Sequence, residues 1–275
     1  MYNFIIRQKK SFSFYFLQKK YISLLINLYI VYNNYRKVKY FMKIFRKLLL
    51  LFVIIILIIL VYLVFNGYMM YKDAIDEMSI EDRVTALRDK DFFTKYDELP
   101  DYYIDAVISV EDHKFYDHSG IDLYYIGRAI YNDIKAMKPV EGGSTITQQV
   151  AKNLIFTQEK TAYRKIAELF ATYDLEKMYS KKEIFEIYVN NMYFGNGYYN
   201  IHDASYGYYN KAPKDLSLYE ATLLAGVPNA PSIYAPTVNL KLAEQRQNHV
   251  LNKMVEYGKL SEEKANEIKA MQTTK

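Results

Sequence analysis

Three short segments hold most of the side chains that could do chemistry. The first, Ser109–Asp122 (SVEDHKFYDHSGID), puts Glu111, Asp112, His113, Asp117 and His118 directly after the apolar stretch Ala106–Val110. A carboxylate leaving a buried element is partly desolvated. That raises its proton affinity and suits it to taking a proton from a weak nucleophile such as a hydroxyl. Two other readings stay open: Glu111 as an acid that merely ends a helix, and His113, Asp117 and His118 as metal ligands, although His-x4-His brings no convincing third ligand.

The second segment, Gly142–Asn153 (GGSTITQQVAKN), reads as a loop feeding a helix N-terminus. Free backbone N–H groups there could meet an anion, and Gln148, Gln149 and Lys152 fall at helical spacing along one side. The Walker pattern is missing, and a plain capped helix explains the same residues. The third segment, Lys160–Phe170 (KTAYRKIAELF), holds Arg164 and Glu168 as i,i+4 neighbours. Either they form a surface ion pair, or Lys160, Arg164 and Lys165 cradle a diphosphate, with Glu168 orienting them or touching substrate.

The elements that must position these segments read as helices. Ser79 caps one; Ser180-Lys-Lys-Glu183 and Ser217-Leu-Tyr-Glu220 are capping boxes, and Gly226 is placed to end the second. Apolar residues at helical spacing run from Lys241 to Tyr257 before Gly258, and Ser261 caps a last helix. Only Ala106–Val110 reads as a short strand. The exported part is thus expected to be mainly α.

Composition narrows the rest. The chain has 275 residues and no Cys, which excludes thiolate metal sites, cysteine nucleophiles and disulfides. Residues 1–47 hold 11 of the 36 Lys and Arg and none of the 31 Asp and Glu, leaving 25 basic and 31 acidic residues beyond. The basic pI therefore sits in one N-terminal block, and nucleic acid is not an expected partner. Leu48–Phe65 is an uncharged apolar run of 18 residues, roughly 27 Å long as a helix and close to a bilayer's hydrocarbon thickness. Residues 48–66 are read as an uncleaved transmembrane helix. Positive-inside bias makes 1–47 cytoplasmic and 67–275 an extracytoplasmic domain. Tyr21–Tyr32 is apolar but too short to span, and reads as a segment lying on the membrane surface. Alternatively residues 1–41 are a start-site artefact, since Met42 opens a natural single-anchor protein.

Taken together, EDHKFYDHSGID, GGSTITQQVAKN, RKIAE, KKEIFEIYVNNMYFGNG, LSLYEATLLAGVPNAPSIYAP and AEQRQNHVLNKM occur in an order and spacing that resemble peptidoglycan glycosyltransferases of the penicillin-binding-protein type (glycosyltransferase family 51). The resemblance covers roughly residues 85–255. It implies a lysozyme-like, mostly helical, two-lobed fold on a single anchor in the bacterial cytoplasmic membrane. It also implies polymerisation of lipid II into glycan strands, releasing undecaprenyl diphosphate. By motif position Glu111 corresponds to the general base for the acceptor's 4-hydroxyl, which attacks with inversion, and Glu168 to a second essential acid. Lys152, Arg164 and Lys165 correspond to the groups that hold the donor diphosphate. Asp112, Phe115, His118, Gly120, Ser144, Thr145, Gln148 and Gln149 match positions that build the cleft.

The implied partners are lipid II, the nascent strand, membrane lipid and other wall-synthesis proteins. No cofactor is required, though Mg²⁺ or Mn²⁺ at the diphosphate is compatible. Lys160 stands where the family commonly has Arg, losing bidentate geometry. Asn200 and Asn210 replace usual glycines, and Asn tolerates left-handed backbone. Ser261-Glu-Glu-Lys264 formally matches Ser-x-x-Lys, but the chain ends at Lys275 with no Ser-Asp-Asn or Lys-Thr-Gly, so a monofunctional enzyme is expected.

Overall fold

The computed structural model describes residues 2–122, 135, 143–156 and 161–272. Two units are distinguished, residues 1–62 and 63–275. Helix α1 (Tyr2–Glu77) supplies the described residues of the first and continues into the second. It runs unbroken through Tyr21–Tyr32. No proline interrupts this span, and isolated polar residues do not stop a helix. Leu48–Leu60 are all solvent-exposed apolar side chains. Among the described residues, this helix alone is long and apolar enough to cross a membrane.

The second unit is built of helices, with no strand among its described residues. Ser79 caps α2 (Ile80–Arg88) by accepting from the Asp82 N–H. Helix α3 (Asp101–Glu111) takes in the stretch expected to be a strand. The correction has a plain cause. Tyr103, Ile104, Ala106, Val107, Ile108 and Ser109 are all buried, so the segment is apolar nearly all round and periodicity loses its power to discriminate. Pro100 sits just ahead of its first turn, a favoured place to start a helix.

Helices α4 (Ile146–Ile155), α5 (Ala162–Met178) and α6 (Lys181–Asn190) form one packed group. The capping boxes at Thr145 and Ser180 open α4 and α6. Helix α7 (Ile201–Tyr209) is capped by Asn200 in extended backbone, φ −158°. The left-handed turn anticipated at both asparagines therefore occurs only at Asn210, φ +54°. Helix α8 (Leu218–Gly226) opens on the Ser217 box. It ends at Gly226, but in right-handed backbone that passes straight into a 3₁₀ turn at Val227–Asn229.

After the short α9 (Pro231–Tyr234), α10 (Leu240–Glu256) packs against α3 and α8, and α11 (Glu262–Met271) closes the chain with Ser261 as cap. The α3–α8–α10 group and the α4–α5–α6 group share one hydrophobic core. The chemistry-bearing segments lie where these groups face each other.

Candidate functional site

A cavity of about 320 Å³ opens between the two helix groups. Glu111, the last residue of α3, stands in it beside Asp112 and His113. Gln149 Nε2 donates to Glu111 Oε2 at 2.7 Å. Among the described residues no donor reaches the buried Glu111 Oε1, and the nearest cation, Arg246 Nη2, is 3.8 Å away. Burial is the main force on this carboxyl and pushes its pKa up. The Gln149 bond and the Arg246 charge pull it down, and Asp112 pushes it up again. The net rise matches the expectation for a carboxylate at the end of a buried element.

The residues around Glu111 form a frame that fixes α3 to α4. Asp112 accepts from His118 Nε2 at 2.9 and 3.0 Å and from the Ile146 N–H at 3.1 Å. His118 Nδ1 accepts from the Gly120 N–H, which sets the ring with its proton on Nε2. Thr145 Oγ1 donates to the Gly120 carbonyl at 2.7 Å. Gly120 holds φ +87°, and a Cβ there would sit 2.6 Å from Thr172 Cγ2. Phe115 is fully enclosed against Phe185. Phe115 and His118 therefore shape the wall from behind, and neither lines the cavity.

The start of α4 corrects one expectation. The N–H groups of Ile146 and Gln148 are taken by Asp112 and by the Thr145 hydroxyl, so they do not wait for an anion. A buried helix start needs its orphan donors satisfied, and the frame does this for these two. Gln148 also returns its side-chain oxygen to the Thr145 N–H. Positive charge is delivered by side chains instead: Lys152 and Lys165 both line the cavity. Lys165 Nζ donates to Ser144 Oγ at 2.9 Å and lies 3.0 Å from Glu168 Oε2.

Glu168 is 1% exposed and also holds Arg164 Nε at 3.1 Å. Glu168 and Arg164 thus sit behind the cavity, and Lys165 is the member of the trio that reaches it. Lys160 and Gly142 lie outside the described residues.

The opposite wall is one that sequence reasoning passed over. Arg246, His249 and Lys253 line it from α10, with Tyr257 just beyond and Asn229 from the 3₁₀ turn. Their i, i+3, i+7 spacing was legible as one helix face, but the apolar spacing of the same helix drew the reading. Gly226 makes the wall possible: a Cβ there would lie 2.9 Å from Arg246 Cγ. His113 stacks on Tyr257 with centroids 4.4 Å apart and planes 8° apart. With His113 stacked there and His118 held by Asp112, the two do not converge. Among the described residues no group of three His, Asp or Glu could hold a metal ion.

A family model described as Transglycosylase matches residues 79–255. The chain belongs to the transglycosylase family. The match opens on the cap of α2 and ends in the last turn of α10. Every cavity residue named above except Tyr257 falls within the transglycosylase match. Penicillin-binding protein 1F of Bacillus subtilis is 45% identical over 168 residues, 61% of this chain and 24% of that protein. Penicillin-binding protein 1A of Neisseria flavescens is 44% identical over 169 residues, 62% of this chain and 21% of that protein. Penicillin-binding protein 1A of Aquifex aeolicus is 42% identical over 178 residues, 65% of this chain and 24% of that protein. The chain spans about a quarter or less of the length of these curated relatives.

Proposed function

We propose that this transglycosylase polymerises peptidoglycan glycan strands, transferring a growing chain from its undecaprenyl diphosphate to the sugar 4-hydroxyl of lipid II. The observation that carries the reading is the Glu111 carboxylate: part-buried, raised in pKa, and holding one oxygen without a donor among the described residues, inside a cavity that also holds Lys152 and Lys165. A sugar hydroxyl donates its hydrogen to that oxygen. As the proton passes to Glu111, the hydroxyl oxygen bonds to the donor's anomeric carbon from the face opposite the diphosphate, which inverts the centre. The bond from that carbon to the phosphate oxygen breaks, and its electron pair leaves on the diphosphate. Lys152 and Lys165 meet the charge that develops there, and preorganised cations in a part-dry cavity are worth more than in water. The proton is then lost from Glu111 to solvent, which resets the base.

The test is incubation of the full chain with lipid II in liposomes, with and without Mg²⁺, read as a ladder of glycan products on a gel. The ladder is expected in both arms, because the side-chain cations supply the positive charge. Failure to lengthen lipid II, with cleavage of preformed glycan instead, overturns the reading in favour of a hydrolase.

The reading also sets an orientation. A lipid-linked sugar polymerised into wall must be met outside the cytoplasm, which agrees with the charge contrast across Leu48–Phe65. A reporter fused after Lys275 that works only outside the cytoplasm is expected to be active. Activity of a cytoplasm-only reporter at the same position would refute the topology.

A further inference from the structure

The apolar run ends at Phe65, and Gly67 follows two residues later inside α1. Glycine within a helix costs roughly 0.5–1 kcal/mol relative to alanine, so its presence there calls for a packing reason. That reason is α5. A Cβ on Gly67 would lie 2.6 Å from Ile166 Cβ, 2.7 Å from Ile166 Cγ2 and 2.9 Å from the Tyr163 carbonyl oxygen. Separations this short are closed to any residue but glycine, so the α1 backbone lies directly on the first turns of α5. The contact continues along both helices. Tyr68 meets Phe170 edge-on at 5.4 Å, Tyr71 stacks on Phe170 at 5.9 Å, and the Tyr71 hydroxyl donates to Asp174.

The residues of α5 that grip α1 alternate along the chain with those that carry charge. Tyr163 and Ile166 flank Arg164 and Lys165, and Phe170 follows Glu168. We propose that Gly67 is a positioning residue. Its close contact with Ile166 fixes how far above the membrane Lys165 stands, matching that height to the diphosphate of a lipid-anchored substrate. The diphosphate of such a substrate lies at head-group level, just outside the hydrocarbon. Gly67 lies roughly 3 Å past the end of the apolar run at 1.5 Å per residue, and Lys165 adjoins the residue it touches. A loose linker would let the cation wander in height; two helices locked through a glycine do not.

This inference rests on the reading of the chain as a polymerase of lipid-linked sugars, and the experiment separates the two. Full-length Gly67→Ala is compared with wild type in liposomes on long-chain lipid II and on a short-chain, water-soluble lipid II analogue. On the long-chain substrate kcat/KM is expected to fall on the order of tenfold to a hundredfold, mostly through KM, the scale of a 1 Å misplacement. On the soluble analogue it is expected to stay within about twofold, because that substrate comes to the site wherever the site stands. Ile166→Gly added to Gly67→Ala removes both crowding carbons but leaves the Tyr163 carbonyl oxygen 2.9 Å away, so it is expected to recover part of the loss on the long-chain substrate. Equal losses on both substrates would mean that the contact merely holds α5 in shape, which overturns the depth assignment. No loss on either, with the higher Tm that alanine's helix propensity would give, also overturns it. Wild type inactive on both substrates would instead remove the polymerase reading itself.

Discussion

On the proposed role of Glu111, Glu111→Gln is expected to reach the membrane and keep its fold but to stop polymerising, with turnover down about 10²–10⁴-fold, the usual worth of a positioned general base. Glutamine keeps the length of the side chain and its contact with Gln149, but it cannot take a proton. The loss falls on turnover more than on lipid II binding, since the carboxylate acts while the hydroxyl is being deprotonated. The same substitution is expected to stabilise the protein at neutral pH. Burial raises the Glu111 pKa in the fold. Its stabilising contribution is therefore fully present below the unfolded value of about 4.3 and is lost as pH rises through the folded value. Wild type carries that ionisation cost at pH 7 and the variant does not. Its Tm should exceed wild type at pH 7, and the gap should close as pH falls to about 4. An enzyme that turns over normally with glutamine at this position would remove Glu111 as the base.

The rate should follow the same proton. A base works only when ionised, so on the proposed role activity is expected to rise with pH through the raised Glu111 pKa. Arg246 and Gln149 hold that pKa down against burial. Arg246→Ala should therefore carry the acid limb of the kcat/KM profile to higher pH, and Arg246→Lys should restore part of the original position.

The local signals written in neighbouring residues were the legible ones. Ser180 and Ser217 form their boxes because the partners sit three residues on, within reach of one turn. Glu111 was visible as a carboxylate following a long apolar stretch, and that is a local fact too. What failed depended on distance along the chain. Ala106–Val110 lacks a polar face because α8 and α10 pack around α3, and neither is near it in sequence. The N–H groups at the start of α4 looked available because the acid that takes one of them, Asp112, lies 34 residues away. Arg246 comes 135 residues after the carboxylate it faces, and only the fold brings them together. Gly226 was legible as a helix end, yet its lasting effect is the room it leaves for Arg246.

Arg164→Ala is expected to destabilise the domain as well as weaken donor handling, and the two losses should separate. Glu168 is 1% exposed, with one oxygen 3.1 Å from Arg164 Nε and the other 3.0 Å from Lys165 Nζ. Arg164 is 15% exposed and Lys165 is 49% exposed, so Arg164 supplies the better-shielded half of the compensation. Removing it leaves a buried carboxylate facing one half-solvated ammonium. Losing one partner of a buried pair typically costs about 3–5 kcal/mol, whereas replacing both by apolar residues is often neutral. Arg164→Met with Glu168→Leu should therefore recover most of the Tm lost by Arg164→Ala. It should not recover donor KM, because Lys165 loses the carboxylate that aims it into the cavity beside Ser144. Lys152→Ala gives the contrast: its side chain is exposed at the cavity, so donor KM should rise while Tm stays near wild type. Thermal unfolding and donor titrations on the four proteins decide the matter. If Arg164→Ala keeps the wild-type Tm and raises only donor KM, its guanidinium reaches the diphosphate itself, and its service to Glu168 is incidental.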